Sequence, residues 1–104
     1  MAKQFDLVEN LDREGREQYP FLVVLQHDRS SAAGSVIVAP LTVATVALAR
    51  TRLHPLLTIS NQDYVVLMEE LAATPRHILG RVVGSAEPNR YAIVSALDLL
   101  FTGY

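Results

Sequence analysis

Three short stretches of this chain are apolar at consecutive positions, and that pattern limits how it can fold. FLVVL (Phe21–Leu25) sits between Pro20 and the polar QHDRSS. SVIVA (Ser35–Ala39) is entered through Gly34 and closed by Pro40, and DYVVLMEE (Asp63–Glu70) carries its apolar residues side by side. Bounded by proline, glycine and polar turn residues, these runs read as strands. Successive side chains on a strand point to opposite faces, so consecutive apolar residues call for burial on both faces. FDLV (Phe5–Val8) alternates in part and reads as a half-buried strand.

The remaining segments follow from local chemistry. ENLDREGREQYP is dense in charge and punctuated by Gly15 and Pro20, which predicts a solvated loop. LLTIS and DYVVLMEE flank a turn-like NQ, so a hairpin is expected around Ser60 to Asp63. Thr42 to Leu53 mixes strand-favouring Val and Thr with helix-permitting Ala and Leu, and its type stays open. One helix is expected near the C-terminus. Pro88 suits a first helical turn, Asn89 could cap it, and RYAIVSALDLLF then runs without Gly or Pro until Gly103. At 100° per residue Tyr91, Ser95, Asp98 and Thr102 form one narrow polar stripe, and the helix is expected to be buried around most of its girth. A single helix covers only part of one sheet face, so the second covering must come from another subunit or from sheet closure. That count is satisfied by a barrel-like β domain forming a homodimer; a closed monomeric barrel is the alternative.

At 104 residues, half of them hydrophobic, the chain fits one domain, 1–104. With no cysteine, disulfides, thiolate metal sites and a cysteine nucleophile are excluded. Val36 to Ala49 contains Pro40 and several Thr and falls short of the roughly 20 residues that span a bilayer, so no membrane association is expected. The start, MAKQFDLVEN, lacks the apolar core of a signal peptide, and a cytoplasmic protein is expected. A formal net charge of -2 gives no basic excess to drive autonomous binding to nucleic acid.

No constellation spells an enzyme. His27, Asp28 and Ser30 in QHDRSS are triad residue types, but a triad converges from separate parts of a fold, and neighbours on one loop read as a solvated turn. His54 and His77 stand apart without metal-ligand spacing, Glu69 and Glu70 would diverge on a strand, and the glycines form no phosphate cradle. Neither a metal nor a cofactor is expected. The loop Glu9 to Gln18 reads as a solvated connection and, secondarily, as a partner contact. The tail is the stronger candidate: Phe101 in part completes the core, whereas Tyr104, beyond the helix, is expected on a surface that a partner can meet.

The chain resembles the CcdB family of bacterial toxins from Phe5 to Tyr104. The resemblance is carried by YPFLVVLQHD with its QxD (Gln26, Asp28), VIVAPL with Pro40-Leu41, LHPLLTISNQDYVVLMEELAATPRHILG with its AxxP (Ala72 to Pro75) and Gly80, and the terminal ALDLLFTGY. It implies a β-rich α+β fold: an SH3-like, partly open antiparallel barrel of five strands, related to that of MazF, with a small accessory sheet and one C-terminal helix. It also implies a homodimer that is no enzyme. Family members are inhibitors of DNA gyrase, a type II topoisomerase: they insert between the two arms formed by the A subunits of gyrase, and they trap the gyrase–cleaved DNA complex. A cognate CcdA-like antitoxin neutralises them, and the complex represses its own operon, so operator DNA is met only through the antitoxin complex; such modules serve plasmid maintenance.

Carried over position by position, the resemblance puts the gyrase contact on Thr102, Gly103 and Tyr104, with Phe101, Asp98 and Ser95 before them. It leaves the antitoxin-contact residues unassigned. Thr102 stands where the family has a Trp that stacks on a gyrase Arg, a contact worth roughly 0.5–2 kcal/mol, and Tyr104 is the ring available to replace it. Arg29 and Ser30 likewise replace apolar residues of the family. Two other readings follow: a protein on this scaffold with a lost or changed target that retains antitoxin binding, and a MazF-like mRNA endoribonuclease, which the acidic charge disfavours.

Overall fold

In the computed structural model, which describes residues 2–30 and 34–104, seven strands and one α-helix follow one another among the described residues: β1 (Asp6–Asn10), β2 (Phe21–Val24), β3 (Ser35–Val43), β4 (Leu56–Ile59), β5 (Gln62–Val66), β6 (Ala72–Pro75), β7 (Leu79–Ser85) and α1 (Arg90–Thr102). All pairings are antiparallel and join one curled sheet in the order β4-β5-β3-β2-β1-β7. The longest strand, β3, pairs with β2 on one side, while its other side is shared: Ser35–Val38 faces β6 and Leu41–Val43 faces β5. The result is a curled half-barrel with one C-terminal helix. Its strands form one continuous sheet in which β6 branches from β3, where the family resemblance counts five barrel strands and an accessory sheet.

The consecutive apolar residues divide between two cores. Leu7, Val23, Ala39, Leu41, Leu57, Ile59 and Val66 join Ile93 and Ala96 of α1 in the larger one. On the opposite face Val8, Leu22, Val24, Val36 and Val38 form the smaller, with Ala2, Ile78 and Leu79 packed against it. The second covering, left open by the sequence between another subunit and sheet closure, is thus supplied within the chain. All five residues of the smaller core are at most 5% exposed.

Several local expectations are corrected. Pro40 does not close its strand: β3 runs through it to Val43. The Pro40 carbonyl accepts from the Leu67 N–H on the β5 side. The carbonyl and amide positions of one strand residue face the same neighbour, so the donor that proline lacks falls where β3 passes from β6 to β5 and no ladder bond is lost. The hairpin expected around Ser60 to Asp63 is present, with its turn at Ser60 and Asn61, both with positive φ (50° and 66°), and Ile59 pairs with Gln62. This is the left-handed pair that a two-residue hairpin needs to match strand twist. Strand β5 stops at Val66, and Met68–Glu70 forms a 3₁₀ turn. The open segment Thr42 to Leu53 finishes β3 and then holds only a short 3₁₀ turn, Leu48–Arg50.

The helix also begins differently. Asn89 makes no side-chain cap; a 3₁₀ turn over Glu87–Asn89 leads in, and the Ser85 hydroxyl accepts from the Glu87 N–H. Buried Phe5, with φ of 69°, anchors this end: its carbonyl accepts from the Ala86 N–H, and the Arg90 guanidinium lies 5.3 Å over its ring.

The motif residues behind the family resemblance turn out to be architectural. Gln26 extends the β2–β3 ladder with its side chain, accepting from the Ile37 N–H at 3.0 Å and donating to the Ser30 carbonyl. Asp28 accepts from the Gln4 N–H at 2.9 Å. Gly80 lies so close to β1 that a Cβ would meet Leu11 Cδ2 at 2.9 Å and the Glu9 backbone oxygen at 3.0 Å, whereas one on Gly84 would meet only Leu7 Cδ1, at 3.6 Å. Gly80→Ala is therefore expected to destabilise by about 1–3 kcal/mol through overpacking, and Gly84→Ala to cost much less. Urea unfolding of the two variants beside the parent checks this.

The outward face of the C-terminal helix

Helix α1 rests on the sheet through one side only. Ile93 and Ala96 are fully buried, and Leu97 and Leu100 pack partly against the larger core. The expectation of a helix buried around most of its girth is wrong. Its outward side carries Tyr91, 93% exposed, Val94, Asp98, Phe101, 69% exposed, and Thr102, with Ser95 half-buried at its margin. The polar stripe of the sequence is present, but Val94 and Phe101 make the surface beside it apolar. Large exposed apolar side chains gathered on one face, rather than scattered, mark an interaction surface.

The C-terminal end is built for display. Gly103 takes the left-handed conformation, φ 81°, and its N–H bonds the Leu99 carbonyl, a helix stop that glycine makes without steric cost. That turn leaves Tyr104 85% exposed. Phe101 is far more exposed than a core-completing residue would be. Its ring instead edges a mostly apolar cleft of about 330 Å³, formed with Leu25, Gln26, Ile37, Leu71 and Leu97. The Thr102 hydroxyl donates back to the Asp98 carbonyl at 2.6 Å. It is therefore committed within the helix. No basic residue lies in the last turn, so the negative end of the helix dipole stands with Asp98 as a site that suits a cationic partner.

Of the six residues singled out from the sequence, Asp98, Phe101, Thr102, Gly103 and Tyr104 are exposed at this end of the molecule, and Ser95 is half-buried. Sequence reasoning missed Val94 and the cleft floor of Leu25, Ile37 and Leu71. Val94 lies seven residues before Phe101, which is the same helix face, and that spacing was a usable signal. The floor residues come from separate segments of the chain and left none.

The other candidates resolve as local structure. His27 Nδ1 accepts from the Arg29 N–H, and the Ser30 hydroxyl donates to the His27 carbonyl rather than to its ring, so this loop holds a turn and not a triad; Ser31 of the same motif lies outside the described residues. Glu69 and Glu70 share a turn instead of a strand: Glu69 pairs with His54, which the sequence had standing alone, and Glu70 accepts from the Tyr19 hydroxyl. At the end of β1, where the charged loop begins, Asn10 is buried, donating to the Tyr19 carbonyl and accepting from the Asp12 N–H. Among the described residues no helix is long and apolar enough to cross a membrane.

Comparison with known proteins gives one family and one fold. The family model described as CcdB protein matches residues 4–103. A solved structure described as "Crystal structure of Mtb toxin" superposes with a TM-score of 0.70 at 20% identity, covering 91% of this chain and 99% of that one. At that identity the likeness is one of fold. No curated protein matches the chain by sequence.

The division of α1 into two faces has a direct check. Ile93→Ala is expected to cost about 2–5 kcal/mol, whereas Tyr91→Ser should stay within about 0.5 kcal/mol. Chemical denaturation of the two variants reads the difference.

Proposed function

The chain belongs to the CcdB family, and from that premise we propose that it is the toxin of a type II toxin–antitoxin module that binds the A subunit of DNA gyrase and traps the enzyme on cleaved DNA. The observation that carries this reading is the aromatic display at the end of α1: Phe101 and Tyr104, both exposed, flank the Gly103 cap on a surface without basic side chains in the last turn. Aromatic rings on a rigid helix end bind well because little conformational entropy is lost, and a guanidinium is drawn to their faces and to the negative helix terminus. Thr102 cannot stack in this way, and its hydroxyl is turned back on the helix. In this reading Tyr104 supplies the ring, and Ser95 and Asp98 border the contact.

The protein would act as an inhibitor, without catalysis of its own. A homodimer would present the helix end twice across a two-fold axis and so engage both arms of a two-fold symmetric target. Neutralisation would come from a cognate CcdA-like antitoxin, with operator binding and repression belonging to the toxin–antitoxin complex in the cytoplasm. A second reading rests on Thr102: the same scaffold, with antitoxin binding kept, now meets a different target.

A gyrase supercoiling and DNA-cleavage assay separates them. The intact protein is expected to stabilise cleaved DNA, and a variant truncated after Phe101 to lose that effect, while both stay folded by circular dichroism. If neither affects gyrase although both are folded, the gyrase reading fails and the changed-target reading stands. Degradation of RNA by the purified protein would instead revive the endoribonuclease.

A further inference from the structure

His54 lies between two groups that can only accept hydrogen bonds. Its Nδ1 is 2.7 Å from the Leu48 carbonyl oxygen, and its Nε2 is 2.8 Å and 3.0 Å from the two carboxylate oxygens of Glu69. The ring itself is only 10% exposed, while the Glu69 side chain is 41% exposed. A neutral imidazole has one N–H and one lone pair; whichever tautomer it adopts, one nitrogen would turn a lone pair toward an acceptor. Both contacts are satisfied together only when both nitrogens carry protons.

The bridge joins two irregular segments. Glu69 lies on the Met68–Glu70 turn, which packs against β3 and α1. The loop from Ala44 to Leu53 is held mainly by bonds to itself: Ala49 N–H to Thr45, Arg50 N–H to Ala47, His54 N–H to Thr51, and the Leu48 and Leu53 amides to the Thr45 and Thr51 hydroxyls. Its ends are tied by the Ala44 N–H to Asp63 and, at a long 3.4 Å, by the Met68 N–H to Leu53. This loop displays Val46, the most exposed large aliphatic side chain among the described residues, beside exposed Ala47 and Arg50.

We propose that protonated His54 is a clasp that fastens the Ala44–Leu53 loop to the Met68–Glu70 turn and loosens it when the ring loses a proton, so that presentation of the Val46 surface depends on pH. Burial of the ring works against its charge, but the hydrogen bonds it donates to Glu69 and to the Leu48 carbonyl and the negative charges of Glu69 and Glu70 outweigh it and hold the pKa above the ordinary 6.5. The acting charges come from that one turn. Tyr19, from the loop after β1, donates to Glu70, and its own hydroxyl is pushed up by burial and by Glu70. Arg50 and Arg52, on the clasped loop, are exposed. The folded value lies above the unfolded one, so the clasp contributes fully below the unfolded histidine value and is lost as pH rises through the folded one.

The test combines imidazole NMR with amide exchange on the full-length protein. Long-range ¹H–¹⁵N spectra should show both His54 nitrogens protonated at pH 6 and a midpoint above 6.5. Exchange protection at Leu48 to Leu53 should fall roughly five- to tenfold across that midpoint, beyond the intrinsic pH effect, as for loss of a charge-assisted hydrogen bond. In Glu69→Gln, a change at an exposed side chain, the midpoint should drop and the protection step should disappear. A His54 midpoint at or below 6.5, a neutral ring at pH 6, or protection that ignores the midpoint would overturn the clasp.

Discussion

The molecule depends on the burial of β2 and β3 from both sides. A strand that is apolar at consecutive positions cannot lie on the outside of a one-sided sheet, because each exposed Val or Leu would forgo about 1.5–3 kcal/mol of burial. Leu22, Val23 and Val24 meet that demand by alternating between the two cores. Everything else follows from covering these strands twice. The sheet curls so that Ile78 and Leu79 reach the smaller core, the branch of β6 from β3 closes one side, and α1 is laid over the larger core.

That arrangement also determines what remains outside. The larger core is already lined by strands and by Met68 of the 3₁₀ turn, so α1 needs to contribute only Ile93, Ala96, Leu97 and Leu100 to finish it. The rest of a strongly apolar helix is left facing away. The chain therefore separates two tasks along one element: the inward side holds the fold, and the outward side with its capped end offers aromatic surface at little cost to stability. A surface of this kind can change residues without disturbing the scaffold beneath it.

Much of the fold was legible because strands with consecutive apolar residues and a long Gly-free, Pro-free segment are strong signals. What misled was local. Pro40 read as a strand end, since sequence alone does not show which side of a strand lacks a donor requirement. Asn89 read as a cap although Ser85, four residues earlier, supplies the side-chain acceptor at the start of the helical segment. The helix read as buried all round because its composition, rather than the space available over the sheet, was counted. Tyr104 and Phe101 were recognisable as tail aromatics, whereas the cleft beside Phe101 depends on Leu25, Ile37 and Leu71 converging from separate segments, and the His54–Glu69 bridge spans two irregular segments with no pattern to announce it.

The central claim is that the outward face and capped end of α1 form the surface that meets gyrase. Its most direct test places a photoreactive benzophenone amino acid in turn at Tyr91, Phe101, Tyr104 and, on the β4–β5 hairpin, Gln62, and irradiates each folded protein with the purified A subunit of gyrase. Cross-links from Tyr104 and Phe101, with none from Gln62, are the expected result. Efficient cross-linking from Gln62 with none from the helix positions would contradict the account.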